Sequence, residues 1–228
     1  MIANKKEFYG GVILLAAFFV VLFFMFQPMF KGHNAMEYLD NLYNSISKGS
    51  VNYVPALKED VHQLDSMNVE LVLNYPSEVE ASQSVALFTN TGSTASAAGK
   101  TVNVSGSLGN ILSGTLADAD LMYHNDKKSI EDKYGIEARR VVFNWWTSLK
   151  LIDKGLKDQG AFAAAKLVTT IEKKAVEASY NYYEVEPMKI TDNLGLVIFS
   201  LAFYVFYTLW YGFAILFIFE GWGLRLSH

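Results

Sequence analysis

Met25, Met29, His33 and Glu37 follow one another at four-residue intervals, and on a continuous helix they would share one face. Thioethers and an imidazole are suitable ligands for a soft metal ion. Pro28 and Gly32 interrupt the stretch and oppose the continuity such a site needs. Methionines in an apolar run ordinarily serve packing, so these four are weak candidates and no metal is expected. His62-Gln63-Leu64-Asp65 and His124-Asn125-Asp126 read as surface polar clusters or helix ends, and His228 completes the histidines. No Gly-x-Ser-x-Gly elbow occurs. Gly99-Lys100-Thr101 lacks the preceding glycine spacing of a phosphate loop. Asp118/Asp120 and Glu184/Glu186 are spaced at i,i+2, which does not place two carboxylates on one helix face. The chain has no cysteine, which excludes disulfides, thiolate metal sites and Cys-ligated iron–sulfur clusters. No catalytic residue is expected.

The aromatic residues carry more information. Trp145 belongs to an apolar stripe and is expected in a core. Trp146, turned about 100° away on a helix, is expected at the flank of that core or as an anchor for a partner. In the second of two apolar runs, Ser200, Tyr204, Tyr207, Thr208 and Tyr211 fall on one helical face, opposite Phe199, Phe203, Phe206, Trp210, Phe213 and Phe217. Tyrosine hydroxyls at mid-depth in lipid require partners. The first run offers no polar side chain before Gln27, so other subunits are expected to supply them. No cofactor is predicted, although a lipid, a quinone or a pigment could rest against this face.

These residues are positioned by two uncharged runs, Gly10–Phe30 over 21 positions and Asn193–Phe219 over 27. At 1.5 Å per helical residue each can cross about 30 Å of hydrocarbon. Residues 10–30 and 193–219 are therefore read as transmembrane helices. Lys5 and Lys6 before the first run, against Lys31 after it, give a small positive-inside bias. The expected topology is a head (1–9) and a tail (220–228) in the cytoplasm, with residues 31–192 outside, in a bacterial inner membrane. Gln27-Pro28-Met29-Phe30-Lys31 lacks a small-x-small cleavage pattern, which favours a retained anchor over a signal peptide.

The intervening segment holds 16 Lys/Arg and 21 Asp/Glu. It has no basic stripe able to neutralise a run of phosphates, so no nucleic-acid partner is expected. Its pattern is mainly that of a helical bundle. Asn34 caps a first helix, with Glu37 three residues on and a stripe of Met36, Leu39, Tyr43 and Ile46 ending at Lys48-Gly49-Ser50. A second helix is expected from Pro55, with Leu57, Val61, Leu64, Leu71 and Val72 inward and Tyr75-Pro76 closing it. Glu78–Phe88 is ambiguous, with Val79, Gln83 and Ala86 able to extend a helix. Residues 89–109, rich in Gly, Ser and Thr, read as a loop or small hairpin projecting from the bundle. Helix returns near Leu108 through Met122. A longer one carries Ala138, Val142, Trp145, Leu149, Ile152 and Leu156, with Gly155 inside it. A last one carries Phe162, Ala165, Val168, Ile171, Ala175 and Ala178, with Glu172 on the opposite face, and Gly160 turns the last two into a hairpin.

Two spans without an internal ionisable group do not make an ion pathway. The expected function is a non-catalytic structural or accessory subunit of an inner-membrane complex. Its partners would be other membrane subunits, or further copies of itself, at the second span, and an extracytoplasmic protein at the outer domain. The alternatives are a ligand-binding or sensory domain acting through a membrane partner, and a cofactor-bearing subunit of a membrane enzyme.

Overall fold

The computed structural model describes residues 2–30 and 32–224; Lys31, Arg225 and His228 lie outside them. In chain order the elements are α1 (Lys5–Met25), α2 (Ala35–Ser50), α3 (Val54–Val61), β1 (Asn68–Asn74), α4 (Glu78–Thr89), β2 (Thr94–Ala98), β3 (Thr101–Ser107), α5 (Leu108–Tyr123), α6 (Lys127–Tyr134), α7 (Ala138–Asp158), α8 (Phe162–Ile171), a π-helical turn (Glu172–Val176), α9 (Glu177–Asn181) and α10 (Leu194–Trp222). They form two compact units, one ending at Ile46 and resuming at Met188, the other Ser47–Pro187.

In the first unit α1 and α10 are long and apolar enough to cross a membrane. Asn4 starts α1 five residues before the uncharged run, its side chain accepting the N–H groups of Lys6 and Glu7 at 3.1 and 3.4 Å. The helix stops at Met25, because Pro28 has no N–H to continue the ladder. Gly32, with φ +87°, then closes a tight turn in which Phe30 and His33 exchange backbone hydrogen bonds of 3.0 Å. The helix that would have aligned Met25, Met29, His33 and Glu37 is thus broken. α2 starts on the expected reciprocal cap: Asn34 Oδ1 accepts the Glu37 N–H at 2.9 Å and Glu37 Oε2 accepts the Asn34 N–H at 3.2 Å. Its buried apolar residue is Leu42, while Met36 is 54% exposed.

α1 and α10 pack antiparallel with almost no space between backbones. A Cβ on Gly11 would lie 2.7 Å from the Ile218 nitrogen and 2.8 Å from the Ala214 oxygen; one on Gly221 would lie 2.3 Å from the Phe8 nitrogen. At the far end the Gly221 carbonyl accepts the N–H groups of Ala3 and Asn4, each at 2.9 Å. Small residues permit this approach, which dispersion and hydrogen bonds must stabilise where lipid removes the hydrophobic drive.

The second unit is a three-stranded antiparallel sheet, ordered β1-β3-β2, with helices packed against it. Three corrections to the sequence reading follow. The expected second helix ends at Val61 with a short 3₁₀ turn, and Asn68–Asn74 is a strand. Val69, Leu71 and Leu73 alternate inward while Val72 is 64% exposed, a period of two that the helical template overrode. Next, residues 94–107 form the hairpin, but it does not project. β3 is the central strand, and its Val102 and Val104 are buried in the same core as Leu71. Gly99, first of the two turn residues with φ +59°, supplies the conformation a type II′ hairpin needs. Gly155, a propensity cost inside α7, is where β1 comes closest: a Cβ there would lie 2.9 Å from Leu71 Cδ2. Finally, α4 is a helix, but it buries Ala81, Ser84, Leu87 and Phe88 and exposes Val79.

α5 and α7 place the expected residues in the core. The last expected helix is split by the π turn. One extra residue per turn moves the buried positions to Val176 and Ser179 and brings Glu172 to 6% exposure, contrary to its placement on the outer face. Phe162, expected in the stripe, is 67% exposed.

Replacing Gly11 by Val will push Ala214 and Ile218 away from α1 and destabilise the helix pair by about 1–3 kcal/mol, the usual cost of overpacking. Gly10→Val, where an added Cβ meets nothing within 4 Å, will be nearly neutral. Unfolding midpoints in detergent check the contrast; equal effects at both positions would refute it.

Candidate functional site

The aromatic residues singled out on α10 divide between two faces. Toward α1, Tyr207 stacks on Phe18 (ring centroids 4.2 Å apart, 20° between planes), Tyr211 tilts against the same ring at 5.2 Å, and Trp210 Nε1 donates to the Leu14 carbonyl at 3.1 Å. Trp210, assigned to the phenyl wall, therefore belongs to the helix pair, and so does the polar Tyr207. The Tyr207 hydroxyl is enclosed and makes no hydrogen bond. Ser200 is also used within the unit, its Oγ 2.6 Å from the Tyr43 hydroxyl and donating to the Val197 carbonyl at 2.9 Å. The other face is uncovered. Tyr204 is 69% exposed, and Thr208 turns its hydroxyl back to the Tyr204 carbonyl at 2.7 Å.

At one end of this pair an apolar cavity of about 300 Å³ opens between Met25, Met29, Phe30, Tyr38, Phe199 and Phe203. Met25 and Met29 thus line a pocket for apolar matter. His33 and Glu37 pair at 3.6 Å, and no group of three or more His, Asp or Glu side chains placed to hold a metal gathers among the described residues.

In the second unit Trp145 is a core residue, 1% exposed. Its Nε1 donates to Asp118 at 2.7 Å, and that fully buried carboxylate also accepts the Lys133 ammonium at 2.8 Å and the Tyr134 hydroxyl. Burial first, then the charge of Asp118, push the Tyr134 phenol far above its ordinary range, so it remains a donor. Three donors satisfy the charge that burial would otherwise penalise. Asp118 carried no signal in the sequence because its partners lie 15, 16 and 27 residues away.

Trp146 is half-buried on the outside of α7. Its Nε1 donates to Glu177 at 3.0 Å, the Lys150 ammonium lies 3.4 Å from its ring centroid, and Phe143 tilts against it at 5.7 Å. Trp146, Phe143 and Glu177 border a cleft of about 290 Å³ with Tyr180. Trp146 is the sequence-predicted partner residue that lies on the second unit, and its ring is only partly covered.

One cluster escaped the sequence. Lys48, read as a helix end, is fully buried. Its ammonium donates to Asn125 Oδ1 at 3.0 Å and to the Val185 carbonyl at 2.5 Å, and faces the Tyr123 ring at 5.1 Å. The Tyr123 hydroxyl donates to the Lys48 carbonyl at 2.6 Å. Asn125 and Glu184, the only described non-glycine residues with positive φ (61° and 63°), are joined by a 2.9 Å bond from the Glu184 N–H to Asn125 Oδ1. Asn125 Nδ2 adds a 3.0 Å bond to Glu186. Desolvation holds the Lys48 ammonium below the ordinary lysine range, partly offset by the Glu186 charge. The cluster ties the stretch just after Ser47 to the stretch just before Pro187, the two places where the second unit connects to the first.

No family model, curated protein or solved structure matches this chain.

Lys48→Met keeps the volume but removes one of two donors to the Val185 carbonyl, which retains Asn125 Nδ2 at 3.2 Å, and one of two donors to Asn125 Oδ1, costing about 0.5–1.5 kcal/mol; Asn125→Ala will cost at least as much, and the double variant less than their sum. Additive denaturant midpoints would count against a single cluster. Glu172 behaves differently. Burial raises its carboxyl above the ordinary value of 4.5, with Lys150 only partly opposing. The folded state therefore holds the proton more tightly than the unfolded state, and its ionised form weakens the fold once pH exceeds the folded value. Glu172→Gln will thus raise the melting temperature at neutral pH, and the gain over the parent will vanish below about pH 4.5. A gain that persists in acid would contradict that origin.

Proposed function

We propose that this chain is a non-catalytic accessory subunit of a bacterial inner-membrane complex, with α1 and α10 spanning the bilayer, both termini cytoplasmic and the Ser47–Pro187 unit periplasmic. The observation that carries the reading is Tyr204. It sits ten residues into a 29-residue apolar helix, about 15 Å along its axis, and is 69% exposed. Its hydroxyl makes no hydrogen bond among the described residues. In the middle of a hydrocarbon core such a group needs a donor or acceptor from another chain. The exposed side of α10 that bears Tyr204 is accordingly the membrane-partner surface, taken up by other subunits or by a second copy. The Tyr207 and Tyr211 rings pack on Phe18 within the helix pair, and Ser200 is held by Tyr43 and Val197. Trp146 marks the surface for a periplasmic protein.

A second reading is supported by the cavity beside Met29 and Phe199. Its walls are apolar, the Ser200 hydroxyl is already engaged, and only the Tyr38 hydroxyl makes no hydrogen bond among the described residues. That lining suits a lipid chain or the tail of a quinone, as in a cofactor-bearing subunit. Organic extraction of the purified protein, with the extract identified by mass spectrometry, tests it.

Tyr204→Phe will weaken association by about 1 kcal/mol, roughly fivefold, as expected for one interhelical hydrogen bond. Tyr207→Phe, which removes an unpaired hydroxyl, will leave association unchanged and the chain no less stable. Both are read from the chains that co-purify in mild detergent and from sedimentation. A strictly monomeric protein without bound chains would end the proposal.

A further inference from the structure

The outer seam between α7 and the α8–α9 strand of the hairpin is cross-linked at four levels. The Arg139 guanidinium lies 4.9 Å from the Tyr180 ring centroid, Trp146 donates to Glu177 at 3.0 Å, Lys150 pairs with Glu172 at 3.9 Å, and the Thr169 hydroxyl donates to Asp153 at 3.0 Å. The acidic groups of the seam are therefore engaged from within the chain. Glu177 holds Trp146, Glu172 is buried under Lys150, and Asp153 takes both Thr169 and Lys157, the latter at 2.6 Å.

The cations exceed them. Arg139, Lys150, Lys157, Lys166, Lys173 and Lys174 line or flank the seam, and Lys166 and Lys173 form no ion pair among the described residues. A chain of net charge −4 thus presents one positive strip. Apolar footholds alternate with the charges along it. The cleft of about 290 Å³ at Phe143, Trp146 and Tyr180 is followed by a second of about 530 Å³ between Lys157, Phe162, Lys166 and Lys173. Phe162 stands 67% exposed among those lysines.

We propose that this seam docks an acidic polypeptide segment of a periplasmic partner, anchored by apolar side chains in the two clefts. The proposal rests on the accessory-subunit reading and names the partner's chemistry. Charge complementarity selects the occupant: cations free on their outer side favour carboxylates, and aromatic clefts favour apolar anchors desolvated beside them. From Phe162 to Asn181 the seam runs about 30 Å, the reach of roughly nine residues of extended chain.

The test places a photoreactive benzoylphenylalanine at Phe143 or Phe162 of the full-length protein in its native membranes, with Val72 and Val79 as exposed control positions on the same unit. Both seam positions will give one shared adduct, whose cross-linked peptide is net acidic with an apolar residue at the point of attachment. Lys150→Glu, Lys166→Glu and Lys173→Glu together will lower its yield about tenfold, as will high salt, whereas arginine at the same three positions will retain it. No adduct, an adduct to lipid or nucleic acid, a neutral or basic peptide, or the same adduct at Val72 and Val79 would each overturn the proposal. Co-purifying membrane chains are counted in the same preparations. Chains retained without a seam adduct sink the seam alone, and their loss sinks the accessory reading itself.

Discussion

The Lys48 ammonium is a charge removed from water and held from two separate parts of the chain: the end of α5, through the Tyr123 ring and Asn125 Oδ1, and the Val185 carbonyl, while the Tyr123 hydroxyl donates to the Lys48 carbonyl. An unpaired ammonium at such a site would cost several kcal/mol, so the surrounding conformations are coupled to it. Asn125 adopts the left-handed region, which asparagine tolerates better than most residues. Glu184, with no such tolerance, is held there by its bond to the same amide. Strain of this kind persists only where the surroundings over-determine it. Here they fix the two stretches through which Ser47–Pro187 is tethered at both ends, so a core of β1, β3, α5 and α7 is closed at the point where the chain enters and leaves it.

The helix pair obeys a different constraint. Where water is absent, every polar group must find its partner within the protein, and α1 and α10 meet that demand unevenly. Gly11, Ala214 and Gly221 bring the backbones close enough for the Gly221 carbonyl and the Leu14 carbonyl to be satisfied across the pair. On α10 the demand fails for the Tyr207 hydroxyl, enclosed against α1, and for the exposed Tyr204. Of the most apolar windows, 11% of α1 and 6% of α10 is buried. The Tyr204 hydroxyl belongs to that exposed surface.

Much of this was legible from residue patterns. The uncharged runs gave both long helices to within five residues. The Asn34/Glu37 cap appeared as expected, and the stripes of α5 and α7 placed Trp145 in the core. The misreadings have physical causes. Val69, Leu71 and Leu73 lie close enough to α3 to be taken for its continuation, and only their period of two separates them. α6 went unseen because its apolar content is slight, although Asp126 as cap and Gly135 as terminator were in view. Lys48 and Asp118 were illegible for another reason. A buried charge is recognised by its partners, and those are 15 to 137 residues distant. On α10 the division of faces failed because helical spacing tells which residues share a side, not which side meets α1.

The π turn links the last of these features to the surface. Between the Lys150–Glu172 and Trp146–Glu177 contacts, α7 advances four residues, about one α-helical turn, while the opposing strand advances five. An uninterrupted α-helix would leave Glu177 about 100° away from Trp146. It would also rotate Tyr180 away from Arg139. The inserted residue therefore brings an acid and an aromatic ring back to the seam that α8 would otherwise have left behind, at the cost of burying Glu172. The same insertion lets the carboxylates be consumed inward while the lysines of α7 and α8 stay outward. A net-acidic domain acquires a positive, aromatic strip from one residue of helical register.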